Sequence, residues 1–133
     1  MPNVVIGSPN SGVFDLDRRA FEEEVAARFG RHAVLVPSRN SESPVDVTAQ
    51  VNRPSESEFQ IFHFRKNDGI STDGTPEQAL EVMRWIRSIL PDDPGGAIWA
   101  IDEMYNGHVE LSPNMSAEDI KTGWVDHAES PAE

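Results

Sequence analysis

The chain has 133 residues and a mass of 14.7 kDa, and its 38% hydrophobic and 26% charged content are the proportions of one globular domain. Cysteine is absent, which excludes disulfides, thiolate zinc sites, iron–sulfur clusters and cysteine nucleophiles together. The formal charge of −12 is gathered late: residues 1–40 are neutral, residues 41–90 carry −3, and residues 91–133 set ten acids against Lys121 alone.

The opening run Val4-Val5-Ile6 is far shorter than a signal segment and no basic residue precedes it; together with the absence of any spanning stretch, this leads us to expect a cytoplasmic protein. The run predicts a short strand. Gly7-Ser-Pro-Asn-Ser-Gly12 then has the glycine spacing of a phosphate loop, but Val13-Phe14 stand where Lys and Ser or Thr are needed, so it reads as a polar turn. Asp15 or Asp17 caps a helix whose Phe21, Val25 and Phe29 form one apolar stripe, and Gly30 stops it. Ala33 to Val36 is a second strand, ended by Pro37, and residues 38–44 are a polar connector.

Val45, Val47, Ala49 and Val51 alternate with polar residues, the pattern of a strand with one dry face. Phe59 to Arg65 pairs with it as a hairpin and is apolar on both sides, which predicts an interior strand with His63 as a hydrogen-bonded core histidine. The stretch Lys66–Gly74 holds two Asp-Gly pairs, lacks the calcium-loop pattern, and reads as a turn. Thr75-Pro-Glu-Gln78 is a capping box, opening a helix with Ala79, Leu80, Met83, Ile86 and Leu90 on one face. Trp85 falls outside that stripe, so it is either covered by the last helix or presented to a partner. Ala97 to Ile101 is an interior strand, Asn106-Gly107 a hairpin turn, and Val109 to Leu111 the return strand. Ser116-Ala-Glu-Asp119 caps a final helix carrying Ile120 and Trp124, and the tail from Glu129 frays.

The order β-α-β-β-β-α-β-β-α predicts a single α+β domain over 1–128, with a mixed, largely antiparallel sheet and helices packed mainly on one face. A two-residue turn at Asn106-Gly107 makes Tyr105 and His108 neighbours and sets Glu103 opposite Glu110. Like charges so placed repel, and a metal, a basic residue or a basic partner would relieve them. No third ligand is evident, so no metal ligand or catalytic residue is assigned and no cofactor is called for. Gly-x-Ser-x-Gly and His-Glu-x-x-His are both missing.

The acidic last third offers the reverse of a phosphate-tracking surface, which argues against direct nucleic-acid binding and against an anionic membrane. The leading expectation is a binding protein that occludes a basic protein partner. Glu103, Glu110, Glu118 and Asp119 supply the attraction, and Trp85 and Tyr105 the contacts. A small, acidic, cysteine-free α+β organisation resembles that of many bacterial immunity and inhibitor proteins, which neutralise a toxin by covering it; this is an architectural likeness and carries no site residues. Two other readings stand beside it: a small metal-dependent or acid–base enzyme using Glu103, His108 and Glu110, and a structural subunit of a homo-oligomer whose apolar strand faces are closed by its own copies.

Overall fold

Local signals for strands and caps resolve into one sheet and three helices in the computed structural model, which describes residues 3–102 and 106–126. In chain order these are β1 (Val4–Gly7), α1 (Arg18–Phe29), β2 (Ala33–Pro37), β3 (Val45–Val51), β4 (Phe59–Phe64), β5 (Gly69–Thr72), α2 (Pro76–Ile89), β6 (Ile98–Asp102), β7 (Gly107–Leu111), α3 (Ala117–Gly123) and β8 (Val125–Asp126). The eight strands run in the order β2-β3-β4-β5-β1-β6-β7-β8, every neighbour antiparallel. The fold is α+β, as expected, with the strands of the opening β-α-β unit separated by three others.

The helix ends follow from their caps. Asp17 Oδ1 accepts from the Ala20 N–H at 2.8 Å, and Gly30, at φ 55°, ends α1 in a conformation that a side chain would oppose. The Thr75–Gln78 box closes in both directions, at 3.2 and 2.9 Å. All three helices lie on one face of the sheet. Phe21 and Phe29 of α1 meet His63 and Phe59, Ile86 and Val82 of α2 are fully buried, and Ile120 of α3 completes the layer. Beneath them Ile6, Val47, Ala49, Ile61, Ile70 and Ala100 are wholly inaccessible.

The stretch expected as a turn over Lys66–Gly74 contains a strand. β5 sits between β4 and β1 with all four residues buried. Only Ile70 is strongly apolar there, and the ladder supplies what periodicity does not: Thr72 Oγ1 donates to the Gln60 carbonyl at 2.8 Å, and the Phe64 ring lies against Gly69, where a Cβ would crowd it.

Opposite the helices, cross-strand pairing aligns one row of side chains over all eight strands. Val36, Thr48, Phe62 and Ser71 form one half, and Val5, Ile101, His108 and Val125 the other. Val36 and Val125, at its ends, are 39% and 48% exposed.

The β2 edge is guarded. The Asn52 N–H donates to the His32 carbonyl and the Ser38 N–H to the Asp46 carbonyl, both at 2.8 Å, so even-numbered residues of β2 face β3 and residues 33, 35 and 37 face outward. Pro37 has no N–H and the Ala33 N–H is taken by the Gly30 carbonyl, leaving Leu35 with the one outward donor of this strand.

Candidate functional site

The β6–β7 pairing corrects the expected register. Trp99 faces Glu110, Ala100 faces Val109 and Ile101 faces His108, so the cross-strand neighbour of Glu110 is Trp99, four positions before Glu103. Gly107 is the first residue of β7 and not a turn residue. Its bare backbone is required by α3 packing, because a Cβ there would overlap Nε1 of Trp124. A shift of four keeps the side-chain parity, and Trp99, Ile101, His108 and Glu110 share the helix-free face. The Trp99 and His108 rings stack with centroids 4.4 Å apart and planes at 26°. Glu103 and Tyr105 lie outside the described residues.

Trp85 is only 6% exposed. Helix α1 covers it: Phe29 meets it edge-on at 5.3 Å and Phe21 packs at 6.4 Å. The helical wheel correctly sets Trp85 off the sheet-facing stripe, but α2 has a second buried side, and this indole is not a surface anchor. Glu118 and Asp119 stand in the first turn of α3. Asp119 closes the capping box: its carboxylate accepts from the Ser116 N–H at 3.0 Å, and this bond, then the Ser116 hydroxyl, hold its pKa below the usual aspartate value.

Sheet order places the elements of the acidic last third together, since β6, β7 and β8 form one end and α3 packs on β7. Among the described residues Asp92, Asp93, Glu110, Glu118 and Asp119 enter no ion pair. Of the thirteen acids of residues 1–90, Glu22, Glu23, Asp46, Glu56 and Glu81 are paired. One flank of the acidic end is basic. A groove of about 590 Å³ beside α2 is lined by Arg84, Arg87 and Lys121 as well as by Leu80, Met115 and Ile120. Arg87 is buried there and donates to the carbonyls of Leu111, Pro91 and Asp92 at 3.0–3.2 Å. No group of three or more His, Asp or Glu among the described residues is placed to hold a metal ion.

Two polar constellations join distant parts of the chain. His63, fully buried as expected of a core histidine, has Nε2 2.6 Å from the Leu16 carbonyl and Nδ1 2.6 Å from Asp46 Oδ1. A carbonyl only accepts, so Nε2 carries a hydrogen and the second proton lies between Nδ1 and the Asp46 carboxyl. The second constellation surrounds Arg53, whose guanidinium lies over the rings of Phe29 and Phe59 at 5.4 and 5.6 Å and grips Glu81 with two bonds of 2.9 and 2.7 Å. Arg28 adds a third bond to Glu81 at 3.0 Å, and Arg53 also reaches Glu56 at 2.9 Å. The Arg53 bonds, and then that from Arg28, hold the Glu81 carboxyl below its usual 4.5.

A group with a lowered folded pKa stabilises the fold fully above its unfolded value and loses that contribution as pH falls through the folded one. Glu81→Gln is therefore expected to cost roughly 1–2 kcal/mol at neutral pH. Its urea midpoint should approach that of the parent as pH is lowered well below 4.5. A constant gap between the two proteins at all pH values would contradict the assignment. Searched against family models, curated proteins and solved structures, the chain matches none of them.

Proposed function

We propose that this protein acts by stoichiometric binding, covering a basic protein partner with the β6–β7–α3–β8 end of its sheet, in the manner of an immunity or inhibitor protein. The observation that carries this reading is where the charge falls in the fold: residues 91–133 set ten acids against Lys121 alone, and strand order brings β6, β7 and β8 side by side with α3 packed on β7. Unmatched charge at one end gives the molecule a directional negative field, which speeds encounter with a cationic surface and orients it. Glu110 and Glu118 are the exposed carriers of that field. Asp119 contributes charge while committed to its cap.

Affinity capture from a native extract at low and high salt tests the reading. The expected result is a basic protein retained at low salt, released by high salt, and bound at least about tenfold more weakly by the Glu110→Lys/Glu118→Lys double variant. Capture insensitive to salt and to the double variant would overturn it.

A further inference from the structure

The sheet face opposite the helices is a surface whose chemistry the acidic end does not explain. It displays Val5, Phe62, Phe64, Trp99 and Ile101, with Val36 and Val125 at its two edges, and the one formal charge among its described strand residues is Glu110. Charged residues are 26% of the chain, so their near-absence over eight strands sets this face apart from a solvated surface. We infer that a second copy of the chain closes this face, forming a two-fold dimer with the sheets stacked face to face.

Three considerations select a second copy. First, a face whose one formal charge among the described strand residues is Glu110 adds little to the repulsion between two chains of −12 and, away from that corner, offers little to attract a basic protein. Second, size suffices: eight strands about 4.8 Å apart, with side-chain rows about 7 Å apart, give on the order of 500–700 Å² per copy, or about 1,000–1,400 Å² in total, enough for a reversible dimer. Third, one symmetric arrangement matches the residues. With the axis parallel to the strands between β5 and β1, β2 of each copy lies over β8 of the other, in the aligned packing usual for stacked sheets.

Val36 then meets the partner's Val125, Phe62 the partner's Ile101 and Phe64 the partner's Trp99, while Gly7 and Gly69 at the axis let the backbones approach. Valines exposed at opposite edges of the sheet are buried together by this arrangement alone. It also sets each acidic end over the less charged end of its partner and keeps the two acidic ends apart.

Sedimentation equilibrium of the full chain from micromolar to millimolar concentration tests the proposal. A species of twice 14.7 kDa is expected, and its fraction should rise with salt because screening relieves like-charge repulsion. That salt response is opposite in sign to the one expected for a basic partner, so the two proposals fail separately. Val36→Asp and Ile101→Asp should each weaken dimerisation at least about tenfold. Val36 is exposed in the single chain, so Val36→Asp keeps the test valid if Ile101→Asp fails to fold; circular dichroism distinguishes the cases. Glu118→Lys on the helix side should leave the dimer intact. A 14.7 kDa species at every concentration and salt, a dimer indifferent to Val36→Asp, or binding of lipid vesicles through this face by a monomeric chain would each overturn the inference.

Discussion

Asp46→Ala is expected to cost about 3–5 kcal/mol, the range seen when one member of a buried pair is removed and the other is left behind. His63 would then keep a ring nitrogen facing an emptied, apolar space, with Nε2 still held by the Leu16 carbonyl. Because folded domains are stable by only about 5–15 kcal/mol, this one substitution would take roughly a fifth or more of the total. Asp46→Asn separates the charge from the hydrogen bond: its amide N–H can donate to Nδ1 while Nε2–H keeps Leu16, so every polar atom stays satisfied and the loss should be well under half as large. Urea unfolding of the three proteins, compared at a shared slope, decides the matter. Equal losses in Asp46→Ala and Asp46→Asn would mean that the bond to His63 is not what the fold depends on. The same contact fixes the approach to α1, since Leu16 precedes the Asp17 cap and the His63 ring packs on Phe21 at 5.2 Å.

Gly107→Val should be the second most damaging change. A Cβ alone would overlap Trp124 and come within 2.9 Å of the Val125 carbonyl, so the indole must leave its seat on β7 and α3 and β8 must move with it. Overpacking of this kind costs about 1–3 kcal/mol, and a valine should lie at the upper end. The diagnostic measurement is a double-mutant cycle: in a Trp124→Ala background the cost of Gly107→Val should fall, because the obstructing ring is gone and the Val125 carbonyl alone remains to be displaced. Additive losses would show that Gly107 is needed for its own backbone and not for its neighbour. Loss of the Trp124 contribution to fluorescence, with the far-ultraviolet signal retained, would identify local undocking and not global unfolding.

Features that depend on a few adjacent residues were legible in the sequence. The Thr75–Gln78 and Ser116–Asp119 boxes each act over three positions, and both form as predicted. Alternation gives both strands and the buried face of Val47, Ala49 and Val51, but a bulge between Val45 and Val47 sets Val45 opposite Phe64 and buries Asp46, which no period announces. β5 escaped because Gly69, Ser71 and Thr72 carry no apolar period; its burial comes from neighbours supplied by β4 and β1. The hairpin register was missed for a related reason. Asn106-Gly107 has the composition of a tight turn, but Gly107 answers to a tryptophan 17 positions later. Arg53 and Glu81 are 28 positions apart, and nothing near either announces the other. The electrostatic site was half visible: the charge asymmetry is in the composition, but only strand order shows that β6, β7 and β8 lie side by side, and only the packing of α1 removes Trp85 from the surface.

The guarded margin of β2 bears on how this chain can crowd without harm. A strand that exposes a full comb of donors and acceptors recruits further copies end on end, with no point at which growth stops. Here a ring nitrogen without hydrogen at Pro37 and an occupied amide at Ala33 leave one open donor, at Leu35. Lateral recruitment through β2 is thereby short of donors, and in the dimer inferred above a single pairing of the broad apolar side would consume the available surface and halt growth at two.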